Sequence, residues 1–117
     1  MDGLSNTLMV AECAGGSQIY RTGGVRAGLR QRTAQGHWAG RNRLSLRRFD
    51  PGGHRWLGGF CLINCTNDNG ANLYGFHTGG VQVLFGDGSC RFLSETTNFE
   101  TVARLSVVDD GQTLGEY

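Results

Sequence analysis

Apolar residues alternate with other residues in two short stretches, 81–85 and 90–93, that lie close together in the second half of the chain. The four residues between them read Gly-Asp-Gly-Ser, and Asp-Gly between alternating stretches is the strongest local signal for a β-hairpin. The pattern therefore predicts two antiparallel strands joined by a tight turn over residues 81–94.

The register of this hairpin follows if Asp87 and Gly88 form a two-residue loop. The pairs on one face are then Phe85 with Cys90, Val83 with Phe92 and Val81 with Ser94. This register collects apolar side chains on one face, and a slip of one residue would move them to the other face. We therefore expect that face to cover the core.

Short strands are also predicted near the N-terminus. Residues 8–11 form an apolar run, and residues 19–20 follow after a glycine-rich break. Residues 21–58 show no sustained helical or alternating period, which is typical of a long loop region. The chain is therefore expected to place a loop-rich excursion between its first strands and the hairpin.

One short helix is predicted after the hairpin. Thr97 and Glu100 match the capping-box pattern, and Phe99 and Val102 then share a helical face, so we expect a helix over residues 98–108. The chain as a whole predicts a single α+β, β-rich domain over residues 1–117, with an antiparallel sheet around the hairpin and long loops. This length suits one small domain with one modest core.

Charge divides the chain into two halves. Residues 1–56 hold nine arginines against three acidic residues, whereas residues 57–117 hold two arginines against seven acidic residues. The arginine-rich part could bind phosphate or an anionic glycan. Its spacing matches no nucleic-acid motif, so we expect a solvated polar region and no nucleic-acid partner.

The four cysteines, Cys13, Cys61, Cys65 and Cys90, allow three pairings as two disulfides. In an extended strand Cys61 and Cys65 would stand about 13 Å apart, which is beyond disulfide reach, so they can bond only if the chain turns between them. Bonds to Cys13 or Cys90 are equally open. We expect at least one disulfide, which is typical of exported, loop-rich domains.

No cofactor is predicted. The amide and carboxylate side chains of residues 66–70 suit a turn, with a calcium-type oxygen cage as the lesser alternative. The cysteine spacing, with one C-x3-C pair and two distant cysteines, fits a zinc site poorly. Calcium and zinc therefore remain secondary interpretations.

Catalysis has little support in the sequence. The chain contains no nucleophile elbow, zinc-protease motif or phosphate-binding loop. A cysteine and histidine pair such as Cys65 with His77 is compatible with the spacing and would need a thiol of lowered pKa at Cys61 or Cys65. We expect no enzymatic activity.

His77 and Asp87 invite an acid and base interpretation, because both can move protons. A strand rises roughly 3.3 Å per residue, so the strand between them should hold the two side chains at opposite ends. We therefore expect Asp87 and Gly88 to shape the turn, and His77 to hydrogen-bond the bend at Gly79 and Gly80.

Four blocks of the chain resemble a known family. They are D-G-L-S-N-T-L-M-V-A-E at 2–12, A-G-x4-Y-R-x-G at 14–23, C-L-I-N-C-T-N-D-N at 61–69 and F-H-T-G-G-V-Q-V-L-F-G-D-G-S-C-R-F-L-S-E at 76–95. The chain is similar to the large planctomycete family of prepilin-like proteins, a domain of unknown function whose C-terminal signature is His-x9-Asp-Gly. The signature falls here on His77, Asp87 and Gly88.

This resemblance implies a cellular context rather than a mechanism. Family members begin with a type IV pilin-like leader and a long apolar helix, processed as in type II secretion pseudopilins, and continue into a β-rich head. The chain resembles the pilin-like head without the N-terminal helix. The resemblance thus implies an exported protein of the cell envelope, periplasm or cell surface, which would meet a membrane only through such a helix.

Three functions follow as hypotheses. The first is a non-enzymatic head that acts in assembly or surface interaction, through self-association or contact with other pilin-like subunits. The second is a carbohydrate or solute-binding module for anionic glycans, with Trp38, Trp56 and Tyr74 as stacking platforms. The third is a cysteine-based enzyme.

Overall fold

Two antiparallel sheets and one short helix make up the computed structural model, which describes residues 3–29, 45–68 and 72–107. The strands are β1 (Leu8–Ala11), β2 (Gln18–Arg21), β3 (Val25–Leu29), β4 (Gly80–Phe85) and β5 (Cys90–Ser94), and the helix is α1 (Phe99–Leu105). Single 3₁₀ turns, Leu4–Asn6 and Thr22–Gly24, precede β1 and β3. The predicted α+β, β-rich class is confirmed.

The larger sheet has the strand order β1-β4-β5, so the first strand pairs with a strand that lies about seventy residues later in the chain. One face of this sheet packs against α1 and against Leu62, Ile63 and Leu73. The buried residues of this core are Leu62, Ile63, Leu73, Val81, Val83, Phe85, Leu93, Val102 and Leu105. The apolar patterns of β4 and α1 therefore meet in one cluster, as burial of apolar surface favours.

The hairpin is present, but its predicted register is wrong by one residue. Leu84, not Phe85, pairs with Cys90, and Val81 pairs with Leu93. The loop contains three residues rather than two, because the Phe85 amide donates to the Ser89 carbonyl and Gly88 adopts φ 84°. Such a three-residue loop needs a final residue of left-handed conformation, which glycine supplies at low cost.

This register changes which side chains of β5 face the core. Leu93 is buried on the core side, and the partly buried Arg91 stands opposite Val83, with its guanidinium 4.4 Å from the Phe85 ring centroid. Phe92 is 45% exposed and lies on the opposite face. The predicted all-apolar inner face is therefore wrong at β5.

The smaller sheet is a two-stranded ribbon of β2 and β3. The prediction of a continuous loop region over residues 21–58 is therefore wrong for residues 25–29. The pattern did not reveal β3 because four of its five residues are exposed, and a strand without a buried face needs no alternation. Further along, the Gly53 amide donates to the Asp50 carbonyl and so closes a turn.

The helix is shorter than the predicted span 98–108. Asn98 caps it, because the side-chain oxygen of Asn98 accepts a hydrogen bond from the Thr101 amide at 2.8 Å. The capping residue predicted from the sequence was Thr97, one position earlier. The helix ends at Leu105, where Ser106 bonds back to the last turn through both its amide and its hydroxyl.

Candidate functional site

A groove of about 640 Å³ opens beside His77. Four separate parts of the chain line it, which are the 3₁₀ turn before β3, residues 61–64, the loop before β4 and the two residues that follow β5. The lining residues are Thr22, Gly23, Gly24, Cys61, Ile63, Asn64, Tyr74, Gly75, Phe76, His77, Thr78, Gly79, Glu95 and Thr96. Of the signature residues, the groove contains His77 but neither Asp87 nor Gly88.

Two aromatic residues, Tyr74 and Phe76, line this groove, and the Tyr20 ring packs against both. Tyr20, Tyr74 and Phe76 contact one another, with centroid separations of 4.8 Å between Tyr20 and Phe76 and 5.9 Å between Tyr74 and Phe76. Tyr74 is buried and its hydroxyl donates to the Arg21 carbonyl, whereas Phe76 is 59% exposed. Burial raises the pKa of the Tyr74 phenol, and the neighbouring Tyr20 raises it further.

The His77 imidazole contacts a carboxylate rather than the predicted bend. Its Nε2 atom lies 3.5 Å from Oε1 of Glu12, and the same carboxylate accepts a hydrogen bond from the Gln82 amide. The bend at Gly79 and Gly80 is held instead by Asn64, whose side-chain amide donates to the Gly80 carbonyl at 3.1 Å. Sequence reasoning missed Glu12 and Asn64, because both are distant from His77 along the chain.

Asp87 and Gly88 shape the turn at the other end of β4. The Asp87 carboxylate accepts hydrogen bonds from the Ser89 hydroxyl at 2.6 Å and the Ser89 amide at 2.9 Å. These bonds, the hydroxyl first, hold the pKa of Asp87 below its ordinary value of 3.8, and Arg91 adds a smaller effect in the same direction. His77 and Asp87 thus lie on opposite sides of β4 in the chain and contact different partners.

One disulfide joins Cys61 and Cys65. The chain turns between them, as this bond requires, with Asn64 at φ 58° and a Cα separation of 5.9 Å. Cys13 and Cys90 are exposed thiols, so the alternative pairings to them are not formed. The hypothesis of a cysteine-based enzyme needs a thiol at Cys61 or Cys65, and the disulfide leaves a thiol at neither position.

In the segment considered as a calcium-type cage, Thr66 and Asn67 use their side chains in internal hydrogen bonds. Asn67 is fully buried, and its side chain donates to the carbonyls of Ala14 and Gln18 and accepts from the Tyr20 amide. Thr66 donates to the Tyr20 carbonyl in the same way. These groups join the segment to β2. Within the described ranges, no group of three or more His, Cys, Asp or Glu side chains is placed to hold a metal.

The three predicted stacking residues have different surroundings. Tyr74 is 1% exposed, so its ring offers no face to a ligand. Trp56 is 58% exposed, and the Arg47 guanidinium lies 5.1 Å from its ring centroid. Trp38 lies outside the described residues. The predicted platform of three rings is therefore wrong at Tyr74, and the exposed ring in the groove is Phe76.

The second face of the larger sheet carries exposed apolar side chains. A bulge in β1 places two residues opposite Leu84, since Leu8 pairs with Phe85 and Val10 with Leu84. Met9 and Val10 are accordingly 67% and 54% exposed. With Leu84, Cys90 and Phe92 they form a surface that we call the open face, which spans all three strands. In the described part of the chain, no helix is long and apolar enough to cross a membrane.

Comparison with known proteins identifies a family but no characterised relative. Residues 1–100 match the model of a family described as "Protein of unknown function (DUF1559)". No curated protein and no solved structure matches the chain.

Proposed function

The chain belongs to the DUF1559 family, and we propose that it is a non-catalytic assembly domain, the head of an exported, pilin-like envelope protein. Its open face contacts a neighbouring subunit of the same kind. The single observation that carries this proposal is the open face itself, a sheet surface with apolar side chains on all three strands.

The composition of the open face favours a protein contact. Met9, Val10 and Phe92 are about half exposed or more, and Leu84 joins them across the central strand. Burying the exposed part of these side chains removes apolar surface from water and so favours association. Contiguous apolar surface of this kind marks interaction sites on proteins that are otherwise well packed.

The disulfide supports an exported location. Disulfides persist in oxidising compartments and are rare in the cytosol. The Cys61–Cys65 bond lies in the middle of the fold, with Cys65 fully buried. The resemblance to prepilin-like proteins supports the same compartment and supplies the kind of partner, a pilin-type subunit.

Light scattering over a range of protein concentrations tests the proposal. The wild-type chain should associate as its concentration rises. Val10→Glu should weaken association about tenfold or more, because it places a charge in the apolar contact. Val25→Glu is the matched control, since Val25 is a similarly exposed valine on the ribbon, away from the open face.

Two results would contradict the proposed contact. The first is a wild-type chain that stays monomeric at every concentration. The second is an equal loss of association in Val10→Glu and Val25→Glu, which would indicate a general effect of charge. Circular dichroism of both variants checks that the fold is retained.

A second candidate function is solute binding in the groove. It is favoured by the exposed Phe76 ring, which stands beside the hydroxyls of Thr78 and Thr96 and the carboxylate of Glu95. Sugars combine an apolar face with hydroxyls that such groups can bond. The described lining contains no arginine, so the groove fits a neutral sugar better than the anionic glycan expected from composition.

Calorimetric titration with a panel of neutral and sulfated oligosaccharides tests this second function. Phe76→Ala should abolish binding of a neutral sugar, whereas Phe60→Ala, at an exposed ring outside the groove, should leave it unchanged. Absence of heat from every sugar, or binding that survives Phe76→Ala, would refute the groove as a sugar site.

A further inference from the structure

A second apolar surface projects from the loop between Phe49 and Cys61. It consists of Trp56, Leu57 and Phe60, which are 58%, 65% and 83% exposed, and we call these three side chains the apolar tip. These fractions are high for large apolar side chains placed so close together in sequence. The apolar tip is not part of the groove or of the open face.

The loop that carries the apolar tip is firmly closed by hydrogen bonds. Phe49 and Cys61 exchange two backbone hydrogen bonds at its base, of 2.7 and 3.0 Å. The Asp50 carboxylate accepts from the amides of His54 and Arg55, and the Leu57 amide donates to the Arg48 carbonyl. These hydrogen bonds hold the loop in one conformation, and the three side chains are exposed in that conformation.

Leu57 has a backbone conformation that leucine rarely adopts. Its φ is 60°, in the left-handed region, although two glycines follow it directly in the sequence. A glycine would adopt this conformation without strain, whereas a leucine destabilises the fold and exposes an apolar side chain as well. Strained residues of this kind concentrate at functional sites, which indicates a role for the leucine side chain.

Arginines surround the apolar tip. The Arg47 guanidinium lies over Trp56, and the Arg48 guanidinium lies 5.6 Å from the Phe60 centroid. Residues 45–61 contain these two and Arg55 against one acidic residue, Asp50, which is a formal charge of +2.

We propose that the apolar tip docks on an anionic lipid surface, with Trp56, Leu57 and Phe60 entering the headgroup layer and the arginines contacting lipid phosphates. Tryptophan favours the membrane interface because its ring is apolar and its N–H is polar. Each arginine near an anionic bilayer raises affinity about fivefold. Binding at a membrane interface grows with the apolar area buried and with the electrostatic attraction to anionic lipids, and the apolar tip with its arginines supplies both.

A bilayer fits these observations better than a protein partner does. Three highly exposed apolar side chains lie on one closed loop, and a fluid headgroup layer accepts such side chains without a matching pocket. Arginine also bonds phosphate in a bidentate manner. The positive charge around the apolar tip therefore complements an anionic lipid surface directly.

Vesicle sedimentation tests the proposal with phosphatidylcholine vesicles that contain or lack phosphatidylglycerol. The full chain should bind the anionic vesicles, bind the neutral ones far more weakly, and lose affinity as salt is added. Exclusive binding to a soluble polyanion such as heparin would overturn the proposal, as would equal binding to both kinds of vesicle.

Leu57→Gly separates membrane binding from folding. Glycine tolerates the positive φ, so the variant should be at least as stable as the wild type, while its affinity for anionic vesicles should fall about tenfold. Leu29→Ser is the matched control, because Leu29 is also 65% exposed but lies on β3. Unchanged vesicle affinity in Leu57→Gly, or an equal loss in Leu29→Ser, would overturn the proposal.

Discussion

At the scale of single residues, buried amides hold the loops of this small fold together. Asn67 bonds three backbone groups of residues 14–20, and Asn64 fixes the approach to β4 from both sides, since its oxygen accepts from the Gly75 amide. A buried backbone group that loses its partner costs about 1–3 kcal/mol. These asparagines therefore act as structural crosslinks between segments that are far apart in sequence.

Asn67→Ala should lower the free energy of unfolding by about 2–4 kcal/mol, because it leaves two carbonyls and one amide without their partner. Urea denaturation measures this change. Asn98→Ala, which removes an exposed helix cap, should cost only about 1 kcal/mol. Equal losses in the two variants would contradict the structural role assigned to Asn67.

Asp87 should give the hairpin a stability that depends on pH. Its pKa is lower in the folded state, so its contribution is present above the ordinary value of 3.8 and is lost as the pH falls below it. In Ser89→Ala the hydroxyl donor is absent and the amide remains, so the pKa of Asp87 should rise part of the way toward 3.8. Carboxyl NMR titration of both proteins measures it, and identical values in the two would refute this account of the turn.

At the scale of elements, the disulfide loop and the loop of the apolar tip pack closely. Gly53 has φ 74°, and a Cβ at this position would collide with the Cys65 carbonyl oxygen. The disulfide therefore constrains a turn against which a neighbouring loop rests. The disulfide therefore stabilises the contact with that loop as well as the five-residue segment that it closes.

Alkylation followed by intact mass measurement should label two cysteines in the unfolded, unreduced chain and four after reduction, because only Cys13 and Cys90 are thiols. Replacing Cys61 and Cys65 together by serine should lower stability by about 2 kcal/mol, as expected for a short closed loop. Four labelled cysteines before reduction would contradict the disulfide.

Local sequence patterns predicted which strands and which helix form better than they predicted strand register and bulges. The hairpin, the first two strands and the helix were all visible in the sequence. The register was not, because Gly86 belongs to the loop and a three-residue loop shifts every pair by one position. The bulge in β1 was equally hidden, since the run Leu-Met-Val-Ala is uniformly apolar and shows no break in alternation.

At the scale of the whole molecule, three surfaces lie on different parts of the fold. The open face lies on the larger sheet, the groove lies beside His77, and the apolar tip extends from the loop of residues 49–61. The sequence indicated His77 and Trp56 by residue type, because histidine can transfer protons and tryptophan can stack on a ligand. It did not indicate Phe76 or Val10, whose importance arises only from exposure in the folded chain.

Cross-linking through Cys90 tests the central claim most directly, because this exposed thiol lies on the open face, opposite Leu84. With a short bismaleimide, Cys13→Ser should form covalent dimers through Cys90, and adding Phe92→Glu should suppress them. Cys90→Ser, which retains the thiol of Cys13, should form no covalent dimer. Dimers that form equally well in Cys90→Ser, or a failure of Cys13→Ser to form any, would contradict assembly through the open face.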